Sequence, residues 1–147
     1  MAYRHIVVTI DGSETALAAV KQAATLAKAF DSKVTAIYVL TAEPILGAEF
    51  MTLDAMQEEY LSEIREKAQQ DLKQAEQLFA EQGISIDSKI CEGFPVHHEI
   101  VESAKTLDAD LIVMGSHGRK GFKKLVLGSV AQSVLGESHI PVLVVRG

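Results

Sequence analysis

Apolar residues recur along this chain with two alternating periods. A short β-branched run, His5–Ile10 (HIVVTI), reads as a strand apolar on both faces, the pattern of burial inside a parallel sheet. Asp11-Gly12-Ser13-Glu14 stops it. From Ala16 to Phe30 the period becomes helical, with Leu17, Val20, Ala24, Leu26 and Ala27 on one side. Lys33–Leu40 (KVTAIYVL) predicts a second strand. After an irregular connection through Pro44 and Gly47, the residues Leu53, Met56, Tyr60, Ile64, Ala68, Leu72, Ala75 and Phe79 form one long helical stripe. A helix of that length, about 45 Å at 1.5 Å per residue, would overhang a small domain, so a kink or break is expected near its start. Gly83 is placed to close it as a C-cap.

Ile84–Ile90 (ISIDSKI) alternates apolar and polar residues, as a half-buried strand at a sheet edge does. Gly93 and Pro95 open a third helix, whose core face is Val96, Ile100, Val101 and Ala104. Asp110–Met114 (DLIVM) is a fourth, buried strand. Gly115–Leu127 is a connection, with a short helical turn expected around Phe122–Val126, and Gly128–Leu135 begins a fourth helix. Ile140–Val145 (IPVLVV) is the last strand, with Pro141 at its start, where a strand accepts proline. The order βαβαβαβαβ predicts an α/β fold, a parallel sheet with helices on both faces and right-handed crossovers. Periodicity does not dictate the order of strands within the sheet.

Composition narrows the class. A chain of 147 residues, 48% hydrophobic and 23% charged, suits a single domain spanning 1–147 with its own core. The net charge of −6 argues against nucleic acid and against an anionic membrane surface as partners. Cys91 is the only cysteine, which excludes an internal disulfide and a cysteine-based zinc site; it reads as a small buried hydrophobe. No apolar stretch approaches the ~20 residues of a membrane span, and the first residues lack the apolar core of a signal peptide. A cytoplasmic protein is expected.

Candidate chemistry collects in the connection after the fourth strand. Gly115 follows a buried strand; Gly118 and Gly121 lie within the connection; Gly128-Ser129 precede a helix. Glycine lets a ligand approach the main chain closely, and a helix start offers unpaired N–H groups at the positive end of its dipole. Together they suit an anion. Arg119, Lys120, Lys123 and Lys124 lie between the two ends. A solvated loop with a serine cap would use the same residues, but the strand before, the helix after and the basic residues between favour a phosphate site. The spacing is neither a Walker A loop nor a dinucleotide fingerprint. Asp11, ending the first strand, would share the carboxyl edge of the sheet with Gly115, where open α/β sheets bind ligands. It suits a ribose, an adenine or a phosphate-bound cation, or equally a capping box with Glu14. The histidines are scattered. Only His97 and His98 adjoin, and successive helical residues diverge, so no metal site of the protein's own is expected. His117 lies inside the glycine connection and is a candidate ligand contact. No nucleophile elbow, Cys–His pair or carboxylate pair is evident, so no catalytic residue is assigned.

The spacing Gly115-x2-Gly118-x9-Gly128-Ser129 resembles the ATP-binding motif of the universal stress protein family. The resemblance covers the whole chain. It includes Val8-Thr9-Ile10-Asp11-Gly12-Ser13, the Gly93-x-Pro95 helix start, Leu111–Gly118 (LIVMGSHG) and Ile140-Pro141-Val142. It implies a five-stranded parallel sheet in the order 3-2-1-4-5, of the adenine nucleotide alpha hydrolase-like type. It also implies a homodimer formed through the last strand and its neighbourhood. Carried over by residue, it implies that Thr9, Ile10 and Asp11 face an adenine nucleotide and that Val39 packs near adenine. Met114, Gly115, His117 and Gly118 would line ribose and phosphates, with Gly128, Ser129 and Val130 holding the phosphates at the helix start. Val8-Thr9 stands where many members carry proline or alanine, a difference of fine packing. The implied ligand is ATP, with Mg²⁺ as its companion ion. The implied function is stress response or regulation rather than efficient catalysis. A slow ATPase, or a dimeric interaction module with a structural nucleotide, are the alternatives.

Overall fold

The computed structural model describes residues 3–41, 53–117 and 126–147, with side chains from residue 58 onward in the second segment. Nine elements follow the predicted alternation: β1 (His5–Thr9), α1 (Glu14–Phe30), β2 (Lys33–Leu40), α2 (Leu53–Glu81), β3 (Asp87–Glu92), α3 (Val96–Thr106), β4 (Leu111–Gly115), α4 (Ser129–Glu137) and β5 (Val142–Val145). The strands form one sheet in the order β3-β2-β1-β4-β5, every pair parallel.

The two-sided apolar character of β1 now has an explanation. Ile6 and Val8 join a core beneath α1 and α2, with Val34, Tyr38, Leu72 and Phe79, while Val7 joins the opposite core beneath α3 and α4, with Ile112, Val101 and Val134. Successive strand residues point to opposite faces, so a central parallel strand must be apolar at every position. The amino end of β1 is tied down by polar groups. The Asp110 carboxylate accepts the Arg4 and His5 N–H groups at 2.9 and 3.0 Å. Buried His5 donates from Nδ1 to the Leu107 carbonyl at 2.8 Å, and its Nε2 lies 2.7 Å from Thr35 Oγ1.

Three expectations change. In α1 the buried face consists mostly of alanines, with Ala16, Ala19, Val20, Ala23, Ala24 and Ala27 inside, while Leu17 and Leu26 are only half-buried. Small side chains let this helix lie close on the sheet. The expected break in α2 does not occur: the helix runs unbroken over Leu53–Glu81. Overhang replaces the break. Tyr60 is 57% exposed, and among the described side chains of the helix full burial begins at Ala68. Gly83 closes α2 as expected. At φ +76° it donates to the Ala80 carbonyl at 2.9 Å while Ile84 donates to Phe79 at 3.0 Å, a Schellman closure. That closure occupies Ile84, so β3 starts at Asp87 rather than at residue 84, in register with Thr35 of β2. β3 lies at the sheet edge, as its alternation predicted.

No helix among the described residues is long and apolar enough to cross a membrane. β1 leads into α1 on one face, whereas β4 leads into α4 on the other. The adjacent carboxyl ends of β1 and β4 therefore form the switch point of the sheet, where the chain opens a crevice.

Candidate functional site

A pocket of about 320 Å³ occupies that crevice. Its construction begins at the end of β1. The Ile10 N–H donates to the Ile37 carbonyl at 2.8 Å, continuing the strand pairing by one residue. Asp11 then turns the chain: its Oδ1 accepts the Ser13 N–H at 2.9 Å, and Gly12 takes φ +82°, a conformation that favours glycine. Ser13 is the N-cap of α1, its Oγ accepting the Ala16 N–H at 3.1 Å. The alternative of an Asp11–Glu14 capping box is thereby corrected. The cap lies two residues further on, and Asp11 shapes the approach to it with its carboxylate at the pocket wall.

β4 supplies the facing wall through Met114 and Gly115. Gly115 is required by the packing of α1, because a Cβ there would come within 2.8 Å of the Thr15 carbonyl carbon. Beyond it, Ser116 is buried and donates its N–H to Val145 at 2.8 Å, and its Oγ lies 3.0 Å from His117 Nδ1. Gly128 returns to the same point. Its N–H donates to the Ser116 carbonyl at 2.7 Å, and a Cβ on it would lie 3.0 Å from His117 Cα and from that carbonyl oxygen. As N-cap of α4, Gly128 offers no side-chain cap, and no acidic residue occupies the first turn. The N–H groups of that turn are therefore left to whatever the crevice holds. Ser129 and Val130 line the pocket.

Thr9, Ile10, Asp11, Val39, Met114, Gly115, His117, Gly128, Ser129 and Val130 thus border one crevice. Gly118 lies outside the described residues, as do Arg119, Lys120, Gly121, Lys123, Lys124 and the helical turn expected from Phe122. Ala16, Ile37, Val96, Ile100 and Ala131 also line the pocket and were not singled out from sequence. Ile37 precedes Val39 by two residues on β2, so strand alternation was the signal that could have found it. Val96 and Ile100 do belong to the expected core face of α3, but that face also borders the crevice. Asp11 is the only carboxylate among the described lining residues. No group of three or more His, Cys, Asp or Glu side chains among the described residues is arranged to hold a metal ion.

The histidine pair lies elsewhere, where the start of α3 meets the end of α4. His98 Nδ1 is 2.9 Å from Glu137 Oε1, and His97 Nε2 is 3.7 Å from Glu137 Oε2. The hydrogen bond to Glu137 raises His98 above its ordinary value and lowers Glu137 below its own.

The model of the universal stress protein family matches residues 2–146. The chain belongs to the universal stress protein family. Universal stress protein MJ0531 of Methanocaldococcus jannaschii is 40% identical over 144 residues, covering 98% of this chain and 82% of that protein. The solved structure of universal stress protein UspA from Lactobacillus plantarum superposes with a TM-score of 0.86 at 28% identity, covering 99% of each chain. A universal stress protein solved in complex with cAMP is 28% identical, with a TM-score of 0.70 over 99% of this chain and 98% of the other. These likenesses agree with the strand order, which is that of the adenine nucleotide alpha hydrolase-like fold.

Proposed function

We propose that this universal stress protein binds ATP in the β1–β4 crevice and acts in cytoplasmic stress response or regulation rather than as an efficient enzyme. The observation that carries the reading is the α4 N-terminus. Its first-turn N–H groups lack a side-chain cap and border a pocket whose opposite wall holds Asp11. An anion is stabilised at such a helix start by N–H groups and by the dipole. In this reading Thr9, Ile10 and Val39 pack beside the adenine and Asp11 accepts from the ribose. Met114, Gly115, His117 and Gly118 line ribose and phosphates, and Gly128, Ser129 and Val130 hold the phosphates. The cAMP complex of a 28% identical relative supports an adenine nucleotide as occupant. The triphosphate rests on the glycine spacing, as does Mg²⁺, for which Asp11 is the carboxylate at hand.

The test is calorimetric titration of nucleotide-stripped protein with ATP and Mg²⁺, beside mass spectrometry of nucleotide released on denaturation. Saturable one-site binding is expected. Absence of binding would remove the proposal, and steady hydrolysis abolished in Asp11→Ala would convert it to an ATPase. A homodimer through β5 is part of the reading. β5 is an edge strand of four apolar residues, and Leu143 on it and Leu135 on α4 are exposed. Light scattering should return twice the 15.9 kDa chain mass, and Leu143→Glu should return the monomer.

A further inference from the structure

We propose that Thr15 is a positioning residue for the nucleotide's phosphates, acting through the main chain of Ser116 and His117; the inference rests on the crevice being a nucleotide site. Thr15 stands in the first turn of α1, is 3% exposed and is not among the residues lining the pocket. Its Oγ1 donates to the His117 carbonyl. A carbonyl can only accept, so the threonine proton is committed to that bond. Ser13 Oγ lies 3.3 Å from Thr15 Oγ1 and so donates its own proton there, while accepting the Ala16 N–H. The hydrogen bonds run in one direction, from the cap of α1 to the connection leaving β4.

The same two residues are held from the other side. Ser116 accepts the Gly128 N–H, so its carbonyl fixes the residue from which α4 begins. Thr15 is therefore linked, through His117 and Ser116, to the residue from which α4 begins. Gly115 allows this approach, because any side chain at 115 would strike the Thr15 main chain and drive its hydroxyl away from His117. A hydroxyl is needed for the link, since neither valine's methyl groups nor alanine could donate to the carbonyl. The groups expected to hold phosphates lie on the β4–α4 side that Thr15 braces. Those expected to hold adenine, Ile10 and Val39, lie just past the end of β1 and on β2.

This division gives the test its readout. ATP and adenosine are titrated into wild type, Thr15→Val and Thr15→Ser, each checked for folding by circular dichroism. Valine keeps the shape and loses the donor. Serine keeps the donor and loses the Cγ2 methyl, which lies 3.1 Å from where a Cβ on Gly147 would be. Thr15→Val should weaken ATP binding about fivefold or more, the scale of one lost hydrogen bond, and leave adenosine within about twofold. Thr15→Ser should hold both affinities at the wild-type level even where its melting temperature falls. Unchanged ATP affinity in Thr15→Val, equal losses for ATP and adenosine, or a serine variant as weak for ATP as the valine one would each overturn the role. Should the valine variant not fold, Thr15→Ala takes its place: a selective loss of ATP affinity supports the role and wild-type ATP affinity refutes it. Wild type that binds neither ligand overturns the nucleotide reading itself, and this inference with it.

Discussion

Adding a single methyl group at Gly128 should damage the crevice far more than the fold. The backbone there is ordinary, at φ −62° and ψ 156°, so alanine meets no conformational strain. Its Cβ would lie 3.0 Å from His117 Cα and Ser116 O and 3.2 Å from His117 Cβ. Carbon atoms normally rest about 3.5–4.0 Å apart, so the two segments must part by about half an ångström. Overpacking of this kind costs about 1–3 kcal/mol, partly offset by about 0.4–1 kcal/mol because alanine restricts the unfolded chain. The net loss of about 0–2.6 kcal/mol corresponds to a fall in melting temperature of no more than about 10 °C at this chain size. Binding suffers more, because the displaced atoms are the start of α4 and the main chain of His117. Misplacing several N–H donors by that distance weakens their bonds to an anion, and ATP affinity should fall at least about tenfold. Gly115→Ala is the contrast. Its Cβ strikes the main chain of α1, which cannot swing aside as a side chain would, so that variant should lose stability first. Calorimetric titration with ATP and scanning calorimetry on both variants check the pair. Wild-type ATP affinity in Gly128→Ala would refute the reasoning.

Asp11→Asn keeps the oxygen that accepts the Ser13 N–H and removes the charge; it should leave the melting temperature within about 2 °C while weakening ATP about tenfold or more, the worth of a charged hydrogen bond. An asparagine variant that binds ATP normally would reduce Asp11 to a turn residue. Phe79→Ala, at a fully buried position on α2, should cost about 3–5 kcal/mol in urea unfolding and leave ATP affinity unchanged, because Phe79 belongs to the core on the α1–α2 side. The His98–Glu137 bond sets a pH dependence. The raised His98 contributes stability below its ordinary 6.5, lost as pH rises through its folded value, and the lowered Glu137 contributes above its ordinary 4.5, lost as pH falls through its folded value. The difference in melting temperature between wild type and His98→Ala should be largest between pH 4.5 and 6.5 and shrink toward pH 9; a difference that grows with pH would contradict the assignment.

Elements whose periodicity is long and one-sided were legible without coordinates, and so was the edge position of β3, because its alternation ISIDSKI reports a strand with one wet face. Boundaries failed where a local hydrogen bond competed with the pattern. Ile84 looks like strand, but its N–H closes α2 on Phe79. On α1 the expected Val20, Ala24 and Ala27 are buried, but Leu17 and Leu26 are only half-buried, because close packing on a sheet selects the smaller side chain. Asp11, Met114, Gly115, His117, Gly128, Ser129 and Val130 could be brought to one crevice from sequence because glycines and a helix start have few other uses in that order. Thr15 carried no such mark. Its role depends on contact with His117, a hundred and two positions away, and no local pattern encodes that.

The two glycines at the ends of the connection illustrate why a motif and a mechanism are different statements. Read from sequence, both serve a ligand's approach to the main chain. In the fold, Gly115 admits a helix: the neighbour that a Cβ would strike belongs to α1. Gly128 admits the strand extension that carries His117, and only through that contact does it shape the crevice. The crevice is therefore a consequence of how closely α1, β4 and α4 can come together at the switch point. Small residues let two helix N-termini converge there. It follows that substitutions restoring close approach should matter more than those restoring glycine itself.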